Sequence, residues 1–400
     1  MKTFSNFNFH MYTEIVFGRG VEAQTGTLIR KYGGSKVLFV YGSGSIKRSG
    51  LYDRIKASLR EAGLPFAEFG GVKANPLRSH VEEGIRLADA EQVDFILGVG
   101  GGSAIDTGKA IALARANDGV YWPFYNGAKP PGMTPVGTVN TIAAAGSETS
   151  GSSVLVDDTE TGFKRSLMYP DVCRPLFAVM NPELTYSVPA FQTGAGATDI
   201  FAHTYMRYFN PFDSYLGEQY CAATLRTVVK YASAAIENPT DYEARAELML
   251  AAAFGHNDLT GIGRAAQPKG GEHALEHQLS GHYDTAHGAG LAVIMPSYLR
   301  YMANHGTEEQ AARAAQFGVA VFGVEPDMRD VRGTALAGAD ALTAWLRSIG
   351  MPTTLKELGV PKEEVGEAVA RVVKDTKGLI KGFMDLDAEA VATIYNTAAE

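Results

Sequence analysis

The segment GEHALEHQLSGHYDTAH, residues 271–287, holds four of the nine histidines in the chain. His273 and His277 are four residues apart, so on a helix they share one face. Gly281 is expected to break that helix, and His287 opens a second apolar run that predicts another helix. A histidine pair on one helix and a histidine at the start of the next can converge on one metal ion, because imidazole is a usual ligand of first-row metals.

A second pair of metal-ligating residue types lies upstream. Asp199 and His203 are also four residues apart. One aspartate and three histidines supply four ligands and leave positions open on an ion that tolerates five or six, as a catalytic metal requires. Single histidines usually lie on solvated helix faces, which is our expectation for His256 and His282, but two such pairs favour a metal site. Glu276 is the expected acceptor for the second N–H of a ligating histidine.

The run GVGGGSAID, from Gly98 to Asp106, is the strongest motif of the first half. It follows a predicted buried strand over 93–99 and precedes a predicted helix over 104–116. Glycines let backbone amides approach a pyrophosphate closely at a helix N-terminus. Ser103 and Asp106 fit a helix capping box equally well. Capping leaves unexplained the three consecutive glycines, which are Gly100, Gly101 and Gly102.

A shorter turn follows the predicted strand over 36–41 and contains Gly42, Ser43 and Ser45. It is an incomplete dinucleotide fingerprint, because Lys47 occupies the place of the last glycine. An NAD-selective site normally offers a carboxylate to the ribose, whereas a ribose phosphate needs donors and cations. The turn has no acid and continues into Lys47 and Arg48, which favours NADP(H) over NAD. The alternative is a surface turn with solvated basic residues.

Strands alternate with helices as far as residue 188, which predicts a parallel α/β nucleotide-binding domain over 1–188. After Pro189 helical periodicity takes over, so we expect an all-helical domain over 189–400 that carries the metal and the substrate. Two short strand patterns lie within 6–18. The other predicted strands are 36–41, 66–69, 93–99, 135–139, 153–156 and 176–180. The predicted helices of the second half are 192–209, 213–237, 241–260, 286–304, 307–321, 330–348, 361–374 and 386–399.

Composition limits the classes of partner. A formal charge of −8 argues against nucleic acid and anionic membranes. The first residues lack the apolar core of a signal peptide, and no apolar run approaches the length of a membrane helix. Two cysteines cannot form a disulfide framework. We therefore expect a cytoplasmic protein that acts on a small molecule.

The histidine motifs resemble those of the iron-containing alcohol dehydrogenase family. The likeness is the pattern Asp-x3-His followed some seventy residues later by His-x2-Glu-His-x-Leu-Ser-x2-Tyr-Asp-x2-His-Gly, and it is closest to the butanol dehydrogenase and aldehyde reductase branch. The resemblance implies the two-domain architecture that dehydroquinate synthase shares, and one divalent metal, with Fe²⁺ favoured and Zn²⁺ second. It implies that His277 is a non-ligand histidine beside the nicotinamide, able to relay a proton. The implied metal ligands are Asp199, His203, His273 and His287.

The same resemblance assigns the cofactor residues. The glycine run would hold the dinucleotide phosphates, and Asp106 would act near the nicotinamide ribose. Residues 139–148 resemble a second dinucleotide loop with Thr141 and Ser147, although alanines at 143 and 145 depart from the usual pattern. Lys164 matches a lysine that reaches the cofactor ribose; an exposed loop lysine is the alternative. An N-terminal hairpin over 6–18 that pairs across a homodimer is also implied.

These features predict a hydride-transfer enzyme. The expected reaction moves a hydride between NADP(H) and a small aliphatic aldehyde or primary alcohol, in a cleft between the two domains. One alternative is a glycerol-dehydrogenase-like or dehydroquinate-synthase-like metalloenzyme that uses NAD. Another is a non-catalytic metal-binding scaffold, although structural zinc sites more often recruit cysteines.

Overall fold

The computed structural model describes residue 4 and residues 6–212, 214–264 and 270–400. The chain forms two compact units. One consists of His10–Val188 with Pro239–Asn257, and the other of Pro189–Asn238 and Asp258–Glu400 together with the chain start up to Phe9. The helix at 242–256, which the sequence analysis placed in the second domain, therefore belongs to the α/β unit. In the described ranges, no helix has the length and apolar character needed to cross a membrane.

The α/β unit is built on a six-stranded parallel sheet with the strand order β1-β8-β5-β4-β2-β3. Its strands are β1 Glu14–Phe17, β2 Val37–Gly42, β3 Phe66–Val72, β4 Phe95–Gly100, β5 Val136–Asn140 and β8 Phe177–Met180, and the hairpin strands are β6 Ser152–Val156 and β7 Lys164–Met168. Its helices are α1 Thr25–Lys31, α2 Ser45–Arg48, α3 Leu51–Glu61, α4 Arg78–Ala90, α5 Gly102–Ala116, α6 Pro170–Cys173 and α9 Tyr242–His256.

Both faces of the sheet are covered. Along β2, Leu38 and Val40 pack into one hydrophobic cluster, while Val37 and Phe39 pack into another. The near-continuous apolar sequence of this strand follows from that double burial. The helix α9 adds a smaller contact, in which its Met249 packs with residues of β8.

The strand order contains one reversal that matters for ligand binding. The chain passes from β2 to β3 on one side and then to β4 on the other side of β2. In open parallel sheets, ligands bind outside the carboxyl ends of the strands at such a switch point. The turn at 42–45 follows β2 and the glycine run at 100–102 follows β4. The topology therefore brings the two glycine-containing motifs to neighbouring strand ends.

Two strand predictions were wrong in detail. β6 is not part of the parallel sheet, because it pairs antiparallel with β7 in a separate hairpin. A short apolar run fits either environment, so periodicity could not decide between them. The N-terminal hairpin is also not seen: residues 6–13 are described without a strand, and β1 pairs in parallel with β8.

The second unit is helical, which confirms the predicted fold class. Its small exception is an antiparallel pair of two-residue strands, β9 Leu379–Ile380 and β10 Leu386–Asp387. Its helices are α7 Ala190–Tyr208, α8 Tyr215–Glu237, α10 Gly271–Tyr283, α11 His287–His305, α12 Glu308–Phe322, α13 Val331–Ser348, α14 Leu355–Leu358, α15 Val365–Thr376 and α16 Ala388–Ala398.

The helix α10 does not end at Gly281 as expected. It runs on to Tyr283 and ends at Asp284, whose φ of 50° is in the left-handed region. A single glycine costs a helix interior only about 1 kcal/mol relative to alanine, so packing decides whether the helix continues. His282 lies in the last turn of this helix and is exposed.

Candidate active site

The helical unit brings an aspartate and two histidines together from two helices. α7 presents Asp199 and His203, and α10 presents His273, so that one potential ligand atom of each lies within 4.8 Å of the others. His203 Nε2 is 3.3 Å from Asp199 Oδ1. The rings of His203 and His273 have centroids 4.7 Å apart. Asp199 and His273 are buried, and the side chain of His203 is 12% exposed.

His287 begins α11 and lies beside this group. Its Nε2 is 3.7 Å from Asp199 Oδ1. A Cβ atom at Gly288 would come within 1.9 Å of the carbonyl oxygen of Ala195 in α7. Because glycine lacks that atom, the start of α11 can approach the backbone of α7 closely. Gly288 therefore allows the close approach of the two helices that places the His287 imidazole near Asp199.

Two buried glutamates contact the Nδ1 atoms of the His273 and His287 imidazoles. Glu272 Oε1 lies 3.0 Å from His273 Nδ1, and Glu276 Oε2 makes a short hydrogen bond with His287 Nδ1. A Cβ atom at Gly290 would lie 2.5 Å from Glu276 Oε1, so this glycine leaves room for the carboxylate. Both contacts direct Nε2 of the histidine toward Asp199 and its neighbours, as carboxylates do in metal sites.

A divalent metal fits this arrangement. His273 Nε2 is buried and has no hydrogen-bond partner among the described residues, although a buried nitrogen without a partner is costly. One carboxylate and imidazole nitrogens suit ferrous iron, zinc and related metals. The sequence predicted Glu276 as the acceptor for the second N–H of a ligating histidine, but without naming that histidine. Glu272 was not predicted in such a role.

His277 lies one turn after His273 on α10 and is half-buried. Its ring centroid is 5.4 Å from that of His287 and 6.3 Å from that of His273. Potential ligand atoms of His277, His287 and Glu276 lie within 4.8 Å of one another. The structure thus places His277 at the border of the candidate metal group, and its non-ligand role stays a prediction.

The glycine run of the α/β unit joins β4 to α5. Gly100 has a φ of 150° that L side chains rarely adopt. Thr141, which follows β5, donates its backbone N–H to Gly100 O at 3.0 Å. The capping-box alternative was wrong, because α5 begins at Gly102 and Gly101 is its N-cap without a side-chain bond. Ser103 lies in the first turn of the helix.

Asp106 connects this helix with the loop after β5. Its Oδ1 accepts a hydrogen bond from Ser147 Oγ at 2.5 Å, and its Oδ2 accepts one from the backbone N–H of Val154 at 3.0 Å. The residue is 8% exposed. The predicted cofactor residues Asp106 and Ser147 therefore contact each other directly.

The turn after β2 is solvent-accessible, with Ser43 and Ser45 exposed. Lys47 Nζ lies over the rings of Tyr41 and Tyr52, at 5.2 and 5.0 Å from their centroids. Arg48 Nη1 lies 3.2 Å from the position that a Cβ atom on Gly44 would occupy. The guanidinium of Arg48 therefore lies beside Gly44, whereas the Lys47 ammonium lies over two tyrosine rings.

Lys164 is not the exposed loop residue of the alternative interpretation. It begins β7, pairs in register with Val156 and is 6% exposed. His256 was also wrongly expected at the surface. It is 5% exposed, and its Nδ1 is 2.6 Å from Ala145 O in the loop after β5.

Sequence reasoning missed a buried charged cluster next to Asp106. Lys109 is fully buried within α5, and Glu148 is 2% exposed. Burial lowers the pKa of Lys109 to about 8 and raises the pKa of Glu148 to about 7. The signal in the sequence was a lysine in the run GKAIALA, residues 108–114, which is otherwise apolar, since a helix segment that is apolar on every side is buried.

Glu148 should make stability depend on pH. Its folded-state pKa lies above the ordinary value of 4.5, so between pH 4.5 and about 7 the folded state binds more protons than the unfolded state, and stability falls as pH rises. The size is on the order of 3 kcal/mol. Replacing Glu148 by glutamine removes this contribution. We expect the free energy of unfolding of the variant, relative to wild type, to rise from pH 5 to pH 8 in urea titrations.

The control is Glu363→Gln, which changes an exposed glutamate. Its difference from wild type should stay constant over the same pH range. A constant difference for Glu148→Gln as well would show that the buried carboxyl does not titrate in this way.

The α/β unit has a switch point with two glycine motifs, and the helical unit has a group of carboxylate and imidazole side chains that could hold a metal. Both features are typical of metal-dependent oxidoreductases. The family model described as iron-containing alcohol dehydrogenase matches residues 13–182. The model for the C-terminal part of the Fe-containing alcohol dehydrogenase family matches residues 193–399.

Individual relatives match along nearly the full chain. NADH-dependent butanol dehydrogenase A of Clostridium acetobutylicum is 36% identical over 98% of both chains. NADPH-dependent aldehyde reductase YqhD of Escherichia coli is 29% identical over 98% of this chain and 100% of the relative. The crystal structure of NADH-dependent butanol dehydrogenase A from Thermotoga maritima superposes with a TM-score of 0.92, at 35% identity and full coverage of both chains.

The chain belongs to the iron-containing alcohol dehydrogenase family. It is therefore a nicotinamide-dependent alcohol dehydrogenase with a metal, typically iron. This membership confirms the sequence-based resemblance and sets aside the non-catalytic scaffold.

Proposed function

We propose that this enzyme transfers a hydride between NADP(H) and a small aliphatic aldehyde or primary alcohol, with Asp199, His203, His273 and His287 as metal ligands. The observation that carries the proposal is the buried Nε2 of His273, which lies close to Asp199 and His203 and has no hydrogen-bond partner in the part of the chain that the structure describes. Fe²⁺ is the favoured metal and Zn²⁺ the second, because an oxygen and imidazole donor set accepts both.

The roles of the chain's own residues follow from their positions. The metal would polarise the substrate oxygen and the nicotinamide would carry the hydride. Glu272 and Glu276 orient two of the ligand imidazoles. His277, half-buried and beside His287, is suited to pass a proton to the product oxygen, because imidazole titrates near neutral pH. We assign Asp106 to the nicotinamide ribose.

The turn after β2 supports NADP(H). Residues 42–48 contain two serine hydroxyls and two cations but no carboxylate. Arg48 Nη1 lies beside Gly44 of this turn, at the end of β2 where a ribose phosphate would bind. The nucleotide residues proposed together are Gly42, Ser43, Ser45, Gly100, Gly101, Gly102, Ser103, Asp106, Thr141, Ser147 and Lys164.

The substrate class rests on relatives. Those quoted above are named for butanol oxidation and for aldehyde reduction, so a short aliphatic aldehyde is the substrate to test first. The homodimer and the cytoplasmic location stay predictions. The position of β1 at the edge of the sheet is compatible with pairing to a second chain.

The proposal is tested with metal-replete protein and butanal. We expect steady oxidation of NADPH and a KM for NADPH roughly tenfold below that for NADH, the size of one charge-assisted hydrogen bond. Arg48→Ala should bring the two KM values together. Steady-state rates followed by the absorbance of the reduced nicotinamide give each constant.

Lys47→Ala is the matched control, since its ammonium lies over two tyrosine rings. It should leave the ratio of the KM values nearly unchanged. Equal use of both nucleotides by wild type would reject NADP selectivity. Turnover of glycerol with NAD and none of butanal would instead favour the glycerol-dehydrogenase-like alternative.

A further inference from the structure

Lys109 is a charged residue in the most buried helix of the α/β unit. Residues Ala104 to Ala114 of α5 are all buried, and Lys109 has no exposed surface. An ammonium group in such a place must be fully hydrogen-bonded. Its Nζ lies within hydrogen-bond distance of four oxygens of residues 147–152, so its three protons are all used and one of them is shared between two acceptors. The oxygens are Ser147 O at 2.7 Å, Ser147 Oγ at 3.0 Å, Ser150 O at 2.9 Å and Ser152 O at 2.8 Å.

The bonds of Lys109 continue to Asp106. A serine hydroxyl has one proton and can accept further hydrogen bonds. Because an ammonium can only donate, Ser147 Oγ accepts from Lys109 Nζ, and its single proton is left for Asp106 Oδ1 at 2.5 Å. The direction of the chain is therefore fixed, from the Lys109 ammonium through the Ser147 hydroxyl to the Asp106 carboxylate.

The loop that Lys109 holds follows β5 at the ligand-binding edge of the sheet. Other side chains also fix its backbone, since Arg174 Nη1 donates to Thr149 O at 2.7 Å and His256 Nδ1 contacts Ala145 O. The contacts of Arg174 and His256 fix the backbone of the loop. Lys109 also binds backbone oxygens, but in addition it orients the hydroxyl of Ser147.

We propose that Lys109 is a positioning residue of the nucleotide site, whose buried ammonium orients the Asp106 carboxylate through Ser147. This inference rests on the proposed nucleotide site. If it holds, the lysine contributes to nucleotide affinity without touching the nucleotide. Removal of the Lys109 ammonium and removal of the Ser147 hydroxyl should therefore weaken nucleotide binding through the same hydrogen bonds.

A double-mutant cycle on the full-length metal-replete enzyme tests this. Lys109→Met keeps the apolar stem and removes the ammonium, and Ser147→Ala removes the central hydroxyl. We expect Lys109→Met to weaken NADPH binding, measured by fluorescence titration, about tenfold or more. Ser147→Ala should weaken it in the same direction, with the metal content unchanged. The double variant should bind no more weakly than Lys109→Met, because residues in one chain are not additive.

Thr149→Val is the matched control. It removes a buried hydroxyl of the same loop, one that donates to Ala253 O at 2.8 Å, so it should lower the Tm but keep the Kd for NADPH within about twofold. The inference would be overturned if the effects of Lys109→Met and Ser147→Ala on the Kd for NADPH were additive. It would also be overturned if both single variants bound NADPH with wild-type affinity. If Lys109→Met does not fold, Lys109→Gln, which removes the charge but keeps a donor group in the same place, replaces it in the cycle. Failure of wild type to bind either nucleotide would refute the proposed function itself.

Discussion

The His273→Ala variant is expected to lose the bound metal and to show no aldehyde reduction. The Nε2 atom of this residue is buried, faces Asp199 and His203, and has no hydrogen-bond partner among the described residues. Metal ions stabilise developing charge on a substrate oxygen by several kcal/mol. Losing about 4 kcal/mol lowers the rate about 10³-fold. Elemental analysis of the purified variant and NADPH oxidation with butanal measure the two effects.

His282→Ala is the control for this variant, because His282 is an exposed residue in the last turn of the same helix. It should retain metal and turnover. Circular dichroism checks that His273→Ala is folded, since Glu272 loses its imidazole partner in that variant. Full metal content and full turnover in a folded His273→Ala protein would remove His273 from the ligand set and leave His277 as the candidate.

Sequence patterns predicted the fold well where a long helical period or a continuous apolar run marks the element. The helix expected over 192–209 is α7, and the strand expected over 36–41 is β2. Sequence patterns failed where the sheet that a short apolar strand joins depends on which other strand it pairs with. Residues 153–156 fit a parallel strand and a hairpin strand equally, and only the partner β7, which was not recognised, separates the two.

Two of the candidate metal residues could be found as a pair because they lie within one helix, whereas the choice of His273 and His287 rested on the resemblance. A spacing of four residues predicts a shared face without knowledge of the tertiary structure, as for Asp199 and His203. The glutamates that support them could not be found in full. Glu276 and His287 are on different helices, and Glu272 is adjacent to His273 in sequence, where helical neighbours do not normally face each other.

The second large effect is expected from Glu276→Gln. The Glu276 carboxylate is fully buried and accepts the Nδ1–H of His287. A negative charge at this position raises the basicity of the opposite ring nitrogen, which faces Asp199. Glutamine keeps the size and one acceptor oxygen but removes the charge. We therefore expect metal affinity to fall about 10- to 100-fold, as measured by titration of Zn²⁺ against a chromogenic chelator.

The metal-free proteins distinguish this role from simple packing. Glutamine keeps an acceptor oxygen for the N–H of His287, so the metal-free Glu276→Gln variant should be about as stable as metal-free wild type, while the metal-loaded variant should be less stable than metal-loaded wild type. Glu389→Gln, at an exposed position of α16, should change neither stability nor affinity. If Glu276→Gln lowered stability equally with and without metal, the carboxylate would be a packing residue. Its hydrogen bond to His287 would then have no part in holding the metal.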